Sequence, residues 1–236
     1  MHDIETDGFL APEALAFRDA VRVQFVEQIR ECEDVSRRAT TQVFEQHIAN
    51  VTVANATAAS LWARCLSASQ AAILLAERGM GVEALALLRT AYENLFFCAA
   101  LVKQPAVIVR LAGEDTGQRL KQAREMLKDK QIFAAITDAD RALLEAFVRD
   151  TPAATKAISA YEAAEIAGMT GIYQGAWRTF SLIATHATLT GAGHAFGNDL
   201  YDLQFGPSFA NVDSALGLAR DCIRLGLDAV APIFTA

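Results

Sequence analysis

Two long apolar segments, separated by only three residues, limit most strongly what this chain can fold into. Residues 53–78 are rich in alanine and other small residues, and residues 84–102 read ALALLRTAYENLFFCAALV. The intervening Gly79-Met80-Gly81 favours a turn, because glycine ends a helix in the left-handed conformation at little steric cost. The pattern therefore predicts two helices, over residues 53–78 and 82–103, that form an antiparallel hairpin.

So much apolar sequence raises the question of a membrane, since 53% of the residues are hydrophobic and the mean hydropathy is +0.21. Arg89 and Glu93 lie near the middle of the second segment, where a charge would be costly in lipid. The N-terminal residues show no basic region followed by an apolar one, as a signal peptide would. We therefore expect buried helices in a cytoplasmic protein that does not bind membranes.

The remaining sequence also favours helices. Apolar residues recur at helical spacing over residues 12–47, a charged amphipathic pattern covers residues 106–136, and residues 191–197 form a glycine-rich loop. Further helices are predicted over residues 138–148, 152–167, 172–190 and 212–231, and no strand is predicted. The sequence thus predicts a single all-α domain over residues 1–236, a helical bundle with the hairpin at its centre and extra short helices.

The charge balance argues against a strongly basic nucleic-acid-binding protein. The chain has 21 Lys+Arg against 28 Asp+Glu and a net charge of -7, so DNA is not an expected partner. Residues 119–130 carry a local excess of basic residues, but no aromatic residue alternates with them, which favours a solvated helix face. The four cysteines are scattered and are read as buried apolar residues. We predict no metal site and no cofactor.

The second hairpin helix contains two charged residues between Ala84 and Val102, Arg89 and Glu93. At about 100° per residue they lie about 40° apart, so their side chains can pair on one helix face, near Tyr92. In a helix that is apolar on nearly all sides, both charges need partners. Two readings remain open: a buried ion pair that fixes helix register or a dimer contact, or a pocket in which Arg89 binds an anion and Glu93 positions a group.

A second cluster of polar and aromatic residues precedes the glycine-rich loop and consists of Tyr173, Trp177, Arg178, Ser181, Thr185 and His186. Ser181 and His186 would lie about 140° apart on a straight helix, so they do not form a nucleophile pair unless the helix is distorted. A lone histidine on a helix is more often a hydrogen-bonded core residue than a ligand, and His186 is read in that way first. It is also a candidate binding residue.

These motifs resemble two groups of proteins. The block GMGVEALALLRTAYENLFFCAALVKQP, followed by WRTFSLIATH, resembles the uncharacterised bacterial helical proteins of domain-of-unknown-function family 5677 over residues 60–197. That resemblance implies Arg89, Glu93 and His186 as the polar positions and implies no reaction. The chain is more loosely similar to the HEPN superfamily, helical proteins that often dimerise and include RNA-cleaving toxins. Their motif has four to six residues between Arg and His, whereas seven separate Arg178 from His186.

Two functional hypotheses follow. The first is a binding or interaction module, whose polar cluster of Arg89, Tyr92, Glu93 and His186 takes a small anionic ligand or RNA. The second, implied by the looser resemblance, is a HEPN-like metal-independent RNA endonuclease of the toxin or phage-defence type, with Arg178 and His186 as catalytic residues. In either case we expect a homodimer formed through small-residue or apolar helix faces.

Overall fold

The structure is a computed structural model that describes residues 4–152, 156–196, 199, 201–203 and 205–235. The predicted all-α class is confirmed. Its helices in chain order are listed here: α1 Ile4–Asp7, α2 Pro12–Gln24, α3 Val26–Glu45, α4 Val53–Ala76, α5 Gly81–Lys103, α6 Val107–Lys128, α7 Lys130–Ala135, α8 Asp138–Asp150, α9 Ala160–Ala167, α10 Thr170–Ile172, α11 Arg178–Phe180, α12 Leu189–Gly193 and α13 Val212–Val230.

The predicted central hairpin is confirmed as α4 and α5. Thr52 caps the start of α4 by accepting a hydrogen bond from the Asn55 N–H at 3.1 Å. Gly79 ends the turn in the left-handed region, with φ of 73°. A Cβ added there would lie 2.7 Å from the Phe17 ring and 2.8 Å from the Ser208 nitrogen, so the turn also requires glycine for space.

Helix α13 packs along both hairpin helices, and α3 packs against α13. Trp62 of α4 is completely buried, and its indole N–H donates to the side-chain oxygen of Gln42 at 3.2 Å. Gly226 of α13 lies against this ring so closely that an added Cβ would overlap it. Small residues thus let the three core helices approach one another.

The cysteines are buried in this core, as predicted. Cys65 of α4 and Cys222 of α13 face each other with their Sγ atoms 3.6 Å apart. Burial raises the pKa of the Cys32 and Cys98 thiols to about 12. All four thiols are therefore shielded from reaction in the folded protein.

The N-terminal part differs from the prediction of one helix over residues 12–47. The helix is broken at Phe25, whose backbone (φ of -116°, ψ of 34°) separates α2 from α3. The break directs α2 toward the end of α4, where Arg18 donates to Glu77 at 2.8 Å and Arg22 also pairs with Glu77. Because Glu77 is only 3% exposed, these two guanidinium groups compensate a buried carboxylate.

Helix α9 packs against α5, whereas α7 and α8 pack against α6. Thr137 caps the start of α8, because its hydroxyl accepts a hydrogen bond from the Asp140 N–H at 3.1 Å. The helix predicted over residues 152–167 begins only at Ala160: residues 156–159 have no regular secondary structure, and residues 153–155 lie outside the described part. Ser159 and Glu162 form a reciprocal capping box at that start, which explains its position.

Two further expectations are corrected. Part of the predicted loop over residues 191–197 is helical, as α12, while Gly197 lies outside the described residues. A two-residue antiparallel ladder also joins β1, His47–Ile48, to β2, Phe234–Thr235, although no strand was expected. Pairs this short carry no alternating pattern that a sequence could display.

Helices α4 and α5 are both long and apolar enough to cross a membrane, by length and composition alone. Core helices of soluble proteins pass the same test. Of their most apolar stretches, 56% is buried within the protein in α5 but only 39% in α4. The cytoplasmic location stays a prediction.

Candidate functional site

Residues 170–185, called here the irregular helix, lie against α5 and depart from α-helical geometry twice. Tyr173–Trp177 and Ser181–Thr185 each form a π-helical turn. Hydroxyl groups bond to carbonyls along the segment, including Thr179 to Gly175 at 2.5 Å and Ser181 to Trp177 at 3.1 Å. Such bonds compete with regular helix hydrogen bonding, and π turns are frequent at functional sites.

The helix predicted over residues 172–190 is therefore shorter and less regular than expected. The helix ends at Thr185, and the His186 backbone is extended, with φ of -106° and ψ of 147°. The His186 N–H donates to the Ser181 carbonyl at 3.2 Å, which closes the second π turn. Angles computed for a straight helix consequently do not describe how Ser181, Arg178 and His186 are arranged.

Arg89 and Glu93 pair as predicted, with 3.1 Å between Nη1 and Oε2. Arg89 also donates from Nε to the Ser181 hydroxyl at 2.9 Å, and its guanidinium lies 4.5 Å from the Trp177 ring centroid. The expected burial is wrong, because the Arg89 and Glu93 side chains are 22% and 37% exposed. The irregular helix covers this side of α5 only in part.

Trp177 lies between two neighbours. One face contacts Arg89, and Tyr173 stacks on the ring at 4.7 Å between centroids and 17° between planes. Tyr173 in turn meets the edge of Tyr161 on α9, at 5.4 Å. Arg89 and Tyr173 therefore both lie against the Trp177 ring, which leaves less of the ring for stacking with a planar ligand.

Tyr92 does not join this cluster, although the sequence placed it beside Arg89 and Glu93. Its ring is buried against Phe180, and its hydroxyl donates to the Leu218 carbonyl of α13 at 3.0 Å. Burial raises the pKa of the Tyr92 phenol. One side of α5 thus faces the core through Tyr92, while another faces the irregular helix through Arg89.

A depression of about 670 Å³ opens on the outer side of the irregular helix. Arg178 and His186 both line it and are exposed, so the reading of His186 as a core residue is wrong. Arg178 donates to the side chain of Gln174 at 3.2 Å, which leaves most of its guanidinium open to solvent. The residues lining the depression are Tyr173, Trp177, Arg178, Thr179, Ser181, Leu182, His186 and Thr188.

No carboxylate is present among these described lining residues, and the nearest ion pair, Arg89 with Glu93, lies behind Ser181 and Trp177. The depression therefore presents one guanidinium, one imidazole and several hydroxyl groups. The sequence analysis missed Thr179, Leu182 and Thr188 as wall residues, because the π turns and the end of the helix bring them there. Among the described residues, no group of His, Cys, Asp and Glu could hold a metal ion.

Two smaller features complete the surface around the hairpin. A groove of about 300 Å³ between α4 and α5 is lined by Arg64, Thr90, Glu93, Asn94 and Phe97. The sequence analysis did not single out Arg64, although it is the lone charged residue in the sequence of α4. Another depression of about 500 Å³ lies at the hairpin turn and includes Glu83 and His194.

Comparison with protein families identifies the chain. The model of the family of unknown function (DUF5677) matches residues 55–202, which is more than half of the sequence. The chain is a member of DUF5677. The DUF5677 match extends from α4 beyond α12 and so includes Arg89, Glu93, Arg178 and His186. No curated protein and no solved structure matches the chain.

The resemblance to DUF5677 stated from the sequence is thus confirmed, and that family carries no established activity. The looser similarity to the HEPN superfamily is not shown by the comparisons and stays a prediction. The family match therefore gives no role for Arg178 and His186. The groups that line the depression are what indicates a role.

Proposed function

We propose that this protein is a binding module and that the depression on the irregular helix binds a small anion. One observation carries the proposal: the described lining residues include Arg178 and His186 and no carboxylate, in a chain whose net charge is -7. A basic, carboxylate-free surface on an acidic protein needs a physical reason, and attraction of an anionic ligand supplies one.

The charged groups in the wall suit the same ligand. The Thr179, Ser181 and Thr188 hydroxyls also line the depression, but each already donates its proton to a backbone carbonyl. The Arg178 guanidinium and the His186 imidazole are therefore the groups that can donate to phosphate or carboxylate oxygens. Because Arg89 and Tyr173 already lie against the Trp177 ring, stacking of a nucleic-acid base on that ring is disfavoured. This favours a compact anion over a long single-stranded nucleic acid.

Arg89 and Glu93 have a positioning role in this proposal. Arg89 reaches Ser181 and Trp177, two residues of the wall, while Glu93 fixes the Arg89 guanidinium from the opposite side. The pair thereby holds the irregular helix on α5 and keeps the wall in place. The sequence left open whether the Arg89–Glu93 pair is structural or lines a pocket. In this proposal the pair is structural, and it supports the wall of the depression.

A second candidate function is RNA cleavage, favoured by the placement of Arg178 and His186 in one open depression. In such a reaction His186 would accept the proton of a ribose 2′-hydroxyl as the 2′-oxygen attacks phosphorus, and the bond from phosphorus to the 5′-oxygen would break. The imidazolium would return the proton to the leaving 5′-oxygen, and Arg178 would stabilise the charge that develops on the phosphate. Seven residues separate Arg178 from His186, one more than the longest spacing of the HEPN motif, and a π turn lies between them.

Isothermal titration calorimetry with inorganic phosphate and with citrate tests the first proposal. We expect binding of at least one of them, weakened about tenfold or more in Arg178→Ala and in His186→Ala, as loss of a charge-assisted hydrogen bond implies. Arg149→Ala is the matched control, because Arg149 is an exposed arginine paired with Asp150 on α8. The proposal is wrong if neither anion binds or if the two depression variants bind like the wild type.

Incubation with a mixed pool of end-labelled RNA tests the second candidate. Cleavage by the wild type that is lost in both Arg178→Ala and His186→Ala, with unchanged circular dichroism, would make the protein an enzyme. Absence of cleavage by the wild type would remove this candidate and leave anion binding to be judged by calorimetry.

A further inference from the structure

One side of the α4–α5 hairpin is open to solvent over residues 56–74 of α4 and partly open over residues 86–97 of α5. On α4, Ala56, Ser60, Ala63, Ser67 and Leu74 are all exposed, and at 100° per residue they fall in one stripe along the helix. On α5, Thr90 is exposed and Ala86, Asn94 and Phe97 are half-buried, again in one stripe. We call these two stripes together the hairpin face.

The stripe residues of the hairpin face include no charged side chain. Helix α4 has the length and composition of a membrane span, yet only 39% of its most apolar stretch is buried in the monomer. Solvated helix faces normally carry charged residues, and α4 carries only Arg64. An uncharged, partly apolar surface on two adjacent helices is a candidate docking surface.

We infer that the hairpin face binds the same face of a second copy of this chain, in a two-fold symmetric dimer. Charge complementarity selects this occupant. Arg64 has no hydrogen-bond or ion-pair partner among the described residues, and it shares a groove with Glu93, of which only Oε2 is bonded, to Arg89. In a self-complementary interface each residue type meets its counterpart twice, so Arg64 of each copy can pair with Glu93 of the other.

The same charges argue against a lipid bilayer as the occupant. Arg64 and Glu93 lie near the middle of α4 and α5, where an ionised side chain in contact with lipid would be most costly. In a protein interface they instead compensate each other. The alanines and serines of the stripe permit the close helix approach that a four-helix arrangement of two hairpins requires.

The size of the hairpin face can be estimated from its two stripes. The stripe runs over residues 56–74 of α4, about 27 Å, and over residues 86–97 of α5, about 17 Å, at about 1.5 Å per residue. With each helix about 10 Å across, the hairpin face presents roughly 440 Å². Standard specific interfaces bury about 800 Å² on each partner, so the contact also needs the flanking side chains of Arg64 and Glu93.

Sedimentation equilibrium of the full chain across a concentration series tests the dimer. We expect a mass near twice the 25.4 kDa of the monomer for the wild type, and a monomer for Ser67→Arg, which places a long cation in the stripe. Ala142→Arg on the exposed surface of α8 is the matched control and should remain dimeric. A monomeric wild type, or a dimer that Ser67→Arg leaves intact, would overturn the inference.

A charge exchange tests the pairing itself. Arg64→Glu alone and Glu93→Arg alone should each be monomeric, because each opposes like charges across the interface, whereas a mixture of the two variants should form a heterodimer. Circular dichroism establishes that each variant is folded. Monomers in the mixture would refute the pairing, and co-sedimentation of the wild type with phosphatidylcholine vesicles would show that lipid, and not a second copy, covers the face.

Discussion

The core of α4, α5 and α13 and the irregular helix are built on opposite principles, although α5 contacts both. In the core, regular helices bring small residues together, and the polar atoms that are buried there find fixed partners, as Tyr92 does at Leu218. The irregular helix has two π turns, several hydroxyl groups and exposed charged residues. Exposed polar side chains are thus concentrated where the helix is irregular. Substitutions in the core and in the irregular helix test this difference.

The largest expected effect belongs to the core. Gly226→Ala places a methyl group within the Trp62 ring, so helix or ring must shift, and we expect a loss of about 3 kcal/mol in the free energy of unfolding. Urea denaturation followed by circular dichroism measures the change.

Gly217→Ala is the matched control on the same helix, because a Cβ there meets nothing within 4 Å. Replacing a glycine inside a helix by alanine should stabilise it by up to about 1 kcal/mol. Equal effects of the two substitutions would contradict the claim that close approach at Trp62 determines the core packing.

An intermediate effect is expected where the two regions meet. Arg89→Ala removes the hydrogen bond to Ser181, the contact with Trp177 and the partner of Glu93. We expect a loss of about 1–2 kcal/mol in stability, together with faster amide hydrogen exchange in residues 173–186 and unchanged exchange in α13. Hydrogen exchange with mass spectrometry resolves the two regions.

Arg119→Ala serves as the control for Arg89→Ala. Arg119 pairs with Asp115 at the same i, i+4 spacing and 3.0 Å, but both side chains are about two-thirds exposed, so its removal should change stability by less than about 0.5 kcal/mol. If the exchange in Arg89→Ala rises equally in α13 and in the irregular helix, the two regions are not separate units.

The same contrast explains what the sequence could predict. The hairpin, its glycine turn and the pairing of Arg89 with Glu93 follow from spacing along regular helices, and these predictions are confirmed. Extrapolating regular geometry failed where hydrogen bonding is irregular. Residues 172–190 have the composition of a helix, and nothing in their periodicity indicates that hydroxyl groups bond to backbone carbonyls along a segment with two π turns.

Two errors about individual residues have the same origin. His186 was read as a core residue because a lone histidine on a helix is more often one than a ligand, whereas the helix ends one residue before it. Tyr92 was grouped with Arg89 because their positions lie close together around a regular helix. Its hydroxyl instead donates to a carbonyl of α13, whose position only the tertiary structure defines. The break at Phe25 likewise accompanies a contact that is distant in sequence, the pairing of α2 with Glu77.

The smallest effect is expected at α9, which supports the irregular helix through Tyr161 and Tyr173. The Ser159 backbone N–H, the Arg110 guanidinium and the Ser159 hydroxyl lower the pKa of Glu162 from 4.5 to about 2. A carboxylate whose pKa is lower in the folded protein stabilises the fold above its ordinary pKa, and this contribution is lost as the pH falls toward the folded value.

Stability of the wild type relative to Glu162→Gln should therefore be constant between pH 7 and pH 5 and should decline between about pH 4.5 and pH 2. Glutamine can keep the capping geometry and removes only the charge, so the comparison isolates what that charge contributes through Ser159 and Arg110. Glu125→Gln, in an exposed pair with Lys128, is the control for removal of a surface carboxylate. If the difference in stability between the wild type and Glu162→Gln does not change with pH, α9 is held by its packing on α5 and not by the Glu162 charge. The irregular helix would then rest on apolar contacts, like the rest of the core.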